Sequence, residues 1–221
     1  MKRSKRQIAQ SGFSILELII AMTVVLICLG IVSTLLGRAF GVRARESQRT
    51  DALTSAQAAL NVISREISNA GFGIHTGTLA RTASNGIVAA DSNAKRIHFR
   101  ANIENTGPEG GPTVVSTNEP GEDITYFFDE ATDSIVRYDP NDTPQTSVVV
   151  NKISDVTFEY FDYVGTSSTG TLVTTPTNDT GRIRITVMVQ LEAVHGQPNP
   201  LDVRFVTEVT LRNSKYMLNQ Y

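Results

Sequence analysis

The 221-residue chain has one cysteine, no tryptophan and three histidines. With Cys28 alone, no intramolecular disulfide can form. Cys28 lies inside an apolar run, where it reads as a small packing residue rather than a reactive thiol. His75, His98 and His195 stand far apart, and none forms a metal-spaced pair. There is no G-x-S-x-G, and Gly71-Phe72-Gly73 lacks the later glycine and preceding strand of a dinucleotide loop. No metal, no cofactor and no enzymatic activity are expected. Asp139-Pro140-Asn141-Asp142-Thr143 gathers oxygens of the kind calcium accepts, but an acidic turn is the simpler reading. Asp155, Glu159 and Asp162 read as a solvated strand edge. An excess of positive charge is also missing. From Gly71 onward there are 11 basic and 18 acidic residues, a net charge of −7. Phosphate binding relies on Lys and Arg, so nucleic acid is not an expected partner. Arg182 and Arg184 are the local exception.

Proline is absent from Phe13 to Gly107, and all eight prolines come later. That gap leaves room for one uninterrupted helix. The chain opens on Lys2, Arg3, Lys5 and Arg6, with no acid before Glu17. An apolar run of 19 residues follows from Leu18 to Leu36, near the roughly 20 needed to cross a bilayer. A secretory signal peptide would have a shorter core closed by small residues, and Leu35-Leu36-Gly37-Arg38-Ala39-Phe40 is a poor match. The run is therefore expected to remain as an anchor. Arg38, Arg43, Arg45 and Arg49 beyond it nearly balance the leader, so charge alone does not orient the span.

Past Arg38 the pattern turns amphipathic. Leu53, Ala56, Leu60, Ile63, Ile67 and Ala70 recur every three or four residues, one apolar stripe of a helix. Gly71 and Gly73 are suitable helix stops, so the helix is predicted from about Phe13 to Asn69, softened at Gly30, Gly37 and Gly41. After Ile74 the residues become β-branched and aromatic. Strands are predicted at Arg96–Ile103, Asp123–Asp129, Ser134–Asp139, Ser147–Ile153, Val156–Tyr163, Arg182–Ala193 and Asp202–Arg212. Ile183, Ile185, Val187 and Val189 share one face, and Val203, Phe205, Val209 and Leu211 suit a partner strand. Gly196-Gln197-Pro198-Asn199-Pro200 would turn these last two into a hairpin. Glu104–Gly121 and Thr166–Gly181 read as surface loops.

Glu17 is the one charge in the apolar stretch from Phe13 to Leu36. A charge within hydrocarbon costs at least about 2.5–3.5 kcal/mol, so such a group carries a functional hypothesis by default. Gly12-Phe13-Ser14-Ile15-Leu16-Glu17, behind a basic leader, resembles the N-terminal signal of type IV pilins and type II secretion pseudopilins. That resemblance implies cleavage between Gly12 and Phe13 on the cytoplasmic side by the prepilin peptidase, then N-methylation of Phe13. It implies that Glu17, the fifth mature residue, sets subunit register against a neighbour's N-terminal amine. The alternative is that Glu17 only snorkels to the interface. Leu60, Arg65-Glu66-Ile67, Ala70-Gly71-Phe72, Val156–Asp162 and Val209–Asn213 are similar to the PilW and pseudopilin J group of minor subunits.

The expected fold is α+β and pilin-like. A long N-terminal helix, membrane-spanning then amphipathic, packs on an antiparallel β-rich head. The expected segments are a cleaved leader (1–12), a transmembrane helix half (13–37), an amphipathic half (38–70) and an extracytoplasmic head (71–221). The resemblance implies a minor pilin or minor pseudopilin that primes, caps or joins a type IV pilus or a type II secretion pseudopilus. Its partners would be the prepilin peptidase, other major and minor subunits, and the inner membrane. A membrane-anchored binding or sensor module with no filament role is the competing expectation.

Overall fold

The computed structural model describes residues 12–74, 85–103, 116–165, 167–191 and 201–218. Helix α1 spans Ile15–Ser68. It opens at Ser14, whose side-chain oxygen accepts from the Leu16 N–H at 3.3 Å, an N-cap that satisfies one of the first free amides. Gly30, Gly37 and Gly41 all lie inside the continuous helix. The chain divides into two compact units within α1, between Ser47 and Gln48.

In the first unit the helix is exposed almost throughout, apolar side chains included. Thr23 and Thr34 turn their hydroxyls onto the helix itself, donating to Ile19 O at 2.8 Å and Gly30 O at 2.6 Å. Both polar groups are thus satisfied without water, as hydrocarbon demands. Among the described residues, α1 alone is long and apolar enough to cross a membrane.

In the second unit the rest of α1 lays Ala56, Ala59, Leu60, Ile63 and Ile67 into a buried core. Full burial of each Leu or Ile contributes about 1.5–3 kcal/mol. The core is completed by two four-stranded antiparallel sheets. The first holds β1 (Arg96–Arg100), β2 (Asp123–Asp129), β3 (Ser134–Tyr138) and β4 (Thr146–Asn151), in that order. The second contains β5 (Asp155–Asp162), β6 (Thr171–Val173), β7 (Thr180–Leu191) and β8 (Leu201–Thr210), in the order β6-β5-β7-β8. A short helix, α2 (Lys215–Leu218), follows. The inward residues include Ile97, Phe99, Ile124, Tyr126 and Ile135 from one sheet, and Phe158, Tyr160, Ile183, Ile185 and Val187 from the other.

The two sheets meet where the Asn93–Arg96 turn crosses β5. Phe158 N–H donates to Ala94 O at 2.8 Å, and the Tyr160 hydroxyl donates to Asn93 O at 2.9 Å. Lys95 pairs with Asp155 and donates to Val156 O at 3.0 Å.

The seven predicted strands are present; β2 has the predicted bounds and the others have shifted ends. β1 stops at Arg100 rather than Ile103 because the chain changes partners: Ala101 N–H bonds Glu122 O and Asn102 N–H bonds Phe72 O. β4 ends at Asn151, since Lys152 adopts φ +59°. The stretch expected as a loop from Thr166 to Gly181 contains β6 and the first residues of β7. β7 and β8 pair antiparallel from Arg182↔Thr210 to Leu191↔Leu201, while the predicted turn Gly196–Pro200 lies outside the described residues.

The helix exit is a close backbone crossing. Gly71 (φ +79°) donates its N–H to Arg100 O, and Arg100 N–H returns to Gly86 O (φ +82°). A Cβ built on Gly86 would lie 2.0 Å from Gly71 N. Only glycine allows both the left-handed conformation and that approach.

Candidate functional site

Gly12 and Phe13 precede α1, and Glu17 occupies its first turn. Phe13 is 84% exposed, and Glu17 is exposed among Ile15, Leu16 and Leu18. Ser14 at the N-cap and Glu17 three residues on match the spacing of a capping box. A carboxylate there also faces the positive end of the helix dipole. Glu17 is the one charged side chain between Phe13 and Leu36. Among the described residues its carboxylate has no hydrogen-bond or ion-pair partner, and it lies at the outer surface of an apolar helix, where a cation from another molecule can reach it. Cys28, further along, is free and exposed.

The charged residues of the head are arranged differently: they tie elements together. Glu66, near the end of α1, accepts from the Tyr126 hydroxyl at 2.6 Å and from Arg137 Nε at 3.1 Å. Burial, then the Glu66 charge, pushes the Tyr126 hydroxyl above its usual range, so it remains a donor. Arg137 also reaches Asp139 at 3.3 Å. Asp139 is fully buried and accepts from the Gly121 and Asn141 N–H groups at 2.6 and 3.0 Å. Its oxygens are thus engaged in holding the turn Asp139–Thr143. Among the described residues no group of His, Cys, Asp and Glu converges as a metal set; His75 and His195 lie outside them.

Asp162 corrects the expectation of a solvated edge. It is buried and accepts from the Thr180 hydroxyl at 2.5 Å and the Thr177 hydroxyl at 2.6 Å. Asp155 and Glu159 are four residues apart and share a face, whereas Asp162 is seven from Asp155 and falls on the other. Buried Asn85 anchors the same loop, donating to Thr180 O at 2.7 Å and Thr177 O at 3.0 Å. Arg182 and Arg184 do not form a free basic patch. Both pair with Glu208, Arg184 also with Glu159, and both guanidinium groups lie over the Phe161 ring, 4.5 and 4.8 Å from its centre.

His98 is wedged between two carboxylates, with Nδ1 3.2 Å from Asp91 and Nε2 2.5 Å from Asp123. Asp123 also accepts from Arg100 Nε at 3.0 Å. Burial works to raise the Asp123 pKa, but the His98 hydrogen bond and the Arg100 charge outweigh it and hold the carboxyl below its usual range. A depressed folded pKa contributes stability that is present above about pH 4 and lost as pH falls through the folded value. The wild-type chain is expected to lose more stability than Asp123→Asn between about pH 5 and pH 2. Denaturant midpoints of both proteins at each pH measure this, and equal acid losses would refute it.

Sequence reasoning singled out Gly12, Phe13 and Glu17 and did not reach the Glu66–Tyr126–Arg137 and His98–Asp123–Arg100 clusters. Glu66 and Arg137 are 71 residues apart, so no spacing rule joins them. Residues 8–33 match the family described as the prokaryotic N-terminal methylation motif. No curated protein and no solved structure matches the chain. The motif and the single apolar helix fit a pilin- or pseudopilin-like protein with a prepilin-type signal and a single-pass membrane anchor. Such a signal implies processing by the prepilin peptidase and assembly with other pilin-type subunits.

Proposed function

We propose that the chain is a minor pilin or minor pseudopilin, most like the PilW and pseudopilin J subunits, that primes, caps or joins a type IV pilus in preference to a type II secretion pseudopilus. The observation that carries this reading is the methylation motif over residues 8–33, with Glu17 as the one charged side chain between Phe13 and Leu36. The leader 1–12 is removed at Gly12. Residues 13–37 hold the subunit in the inner membrane, residues 38–70 carry the helix to the head, and residues 71–221 stand on the extracytoplasmic side.

Mechanism here means assembly. Cleavage leaves a positive amine on Phe13 in a setting of low dielectric. Two unit charges 4 Å apart attract by about 4 kcal/mol at an effective dielectric of 20. Glu17 on one subunit neutralises the Phe13 amine of the next and so sets their axial step. The exposed apolar face around it then buries against neighbouring helices. The acidic composition of the head fits a protein surface rather than a phosphate-binding one.

Mass spectrometry of the mature N-terminus, from cells with and without the prepilin peptidase, tests the reading. An N-methylated Phe13 start, seen with the peptidase and lost without it, is the expected result. An intact Met1 start in both would leave an anchored module outside the pilin pathway.

A further inference from the structure

His98 stands on the face of β1 opposite Ile97 and Phe99, and it is buried there too. Its ring meets an acceptor at each end. Nδ1 lies 3.2 Å from Asp91 and Nε2 lies 2.5 Å from Asp123. A neutral imidazole has one N–H donor and one lone pair; only the charged ring donates from both nitrogens. Both contacts are therefore hydrogen bonds in the charged ring alone. In a neutral ring one nitrogen turns its lone pair on a carboxylate, and that contact becomes repulsive.

The two carboxylates are not equivalent. The Asp123 side chain is 15% exposed and is also held by Arg100 Nε at 3.0 Å, whereas that of Asp91 is 55% exposed. Asp91 closes a short 3-10 turn, Ala89–Asp91, whose backbone bonds are long: Asp91 N–H to Val88 O at 3.2 Å and Ser92 N–H to Ala89 O at 3.4 Å. Ala89 and Ala90 have no polar side chain, so the His98 ring is the turn's one side-chain hydrogen bond to the sheet. The ends of the turn are fixed separately. Val88 N–H donates to His98 O at 2.9 Å, and Ser92 Oγ donates to Val88 O at 2.9 Å and accepts from His98 N–H at 3.0 Å. Among the described residues, the charged groups around the ring are Asp91 on the turn, Asp123 on β2, and Arg96 and Arg100 on β1. Arg96 lies over the Phe127 ring, 5.9 Å from its centre, and Tyr138 of β3 is on the same face two strands away.

We infer that Asp91 and His98 form a proton-gated latch: the charged ring holds the Ala89–Asp91 turn on the sheet, and loss of one ring proton releases it. The proton that leaves is the one on Nδ1. Asp123 is the more buried carboxylate and is the costlier one to leave without its donor, so the remaining proton stays on Nε2. The Nδ1 lone pair then faces Asp91, which is exposed enough to swing into water. Four charges balance in the closed state, His98 and Arg100 against Asp91 and Asp123, and the open state has one net negative charge. An adjacent carboxylate favours the charged ring, so the tie is present while the ring is charged and is lost as pH rises through the ring's midpoint. The opening is local, because Val88 and Ser92 keep their bonds to His98. The latch belongs to the head and does not rest on the pilin reading.

The test follows ring nitrogens and backbone amides of the full chain in detergent by NMR across pH. The His98 signals are those that survive in both His75→Gln and His195→Gln. The neutral ring is expected to be the Nε2–H tautomer. Protection factors, which remove the intrinsic pH dependence of amide exchange, are expected to fall for Asp91 and Ser92 at the ring's own midpoint, while Val88 keeps its protection. In Asp91→Asn the ring is expected to bind its second proton about two- to fivefold more weakly, the range of a partly exposed ion pair. Protection of amides 91 and 92 then no longer follows the ring. Four results would each overturn the inference: an Nδ1–H tautomer, a ring that stays charged over the whole range in which the head is folded, protection at 91 and 92 that ignores the ring, or an unchanged midpoint in Asp91→Asn.

Discussion

Glu17→Ala is expected to lower the amount of this subunit in assembled filaments at least tenfold while leaving cleavage after Gly12 intact. The size of the effect separates two roles for the carboxylate. If Glu17 only supports the start of α1, its interaction with the helix dipole is worth about 0.3–1 kcal/mol. A loss of that size changes an equilibrium by no more than about fivefold. If it neutralises a neighbour's Phe13 amine, a substantial part of about 4 kcal/mol is lost, and tenfold corresponds to only about 1.4 kcal/mol of it. Ser14 keeps its own bond to the Leu16 N–H in the variant, so the helix start is not removed. Immunoblots of sheared surface material against the membrane fraction give the ratio. A drop under fivefold would assign Glu17 to the helix start and remove it from assembly.

Gly86→Ala should be the most damaging single-methyl change in the head, costing more than about 3 kcal/mol. Two penalties combine there. A side chain at φ +82° costs about 1–3 kcal/mol on conformation alone. The new Cβ would also stand 2.0 Å from Gly71 N and 2.6 Å from Arg100 O, both backbone atoms that cannot swing aside. Gly121→Ala isolates the first penalty, because Gly121 has φ +89° and nothing within 4 Å of its would-be Cβ. Denaturant unfolding of the full chain in detergent compares the two. Gly86→Ala is expected to be the less stable by a clear margin; equal losses would mean that the crossing relaxes freely.

Patterns of short period were legible in the sequence. The stripe at Ala56, Leu60, Ile63 and Ile67 is buried as the helical spacing requires, and Ile183, Ile185 and Val187 face inward on β7 as alternation requires. The helix runs from Ile15 to Ser68, close to the predicted Phe13–Asn69, because Ser14 and Gly71 are local signals. β6 was not legible: Thr171-Leu172-Val173 is too short to alternate and sits among threonines that read as loop. Asp162 was misplaced through composition, since an acid near two others suggested solvent, whereas counting residues along the strand puts it inward. Among the described residues, the polar clusters of the head join positions far apart in the chain, and only the fold brings them together. Gly12, Phe13 and Glu17 stood out because a motif is local by nature.

The bond from Glu66 to Tyr126 and Arg137 has a mechanical consequence. The apolar stripe and this polar clamp lie on one rigid helix, Ala56 to Ile67 with Glu66 beside its last member. A rigid rod drawn along its own axis cannot release such contacts in turn; it must slide them together. Tension carried by α1 is therefore shared between buried methyl groups, which yield gradually with distance, and two directional hydrogen bonds of 2.6 and 3.1 Å, which hold until they break. Through Tyr126 and Arg137 that load passes into β2 and β3, the two inner strands of their sheet, each held by a backbone ladder on both sides. The head is gripped at its middle instead of being peeled from an edge.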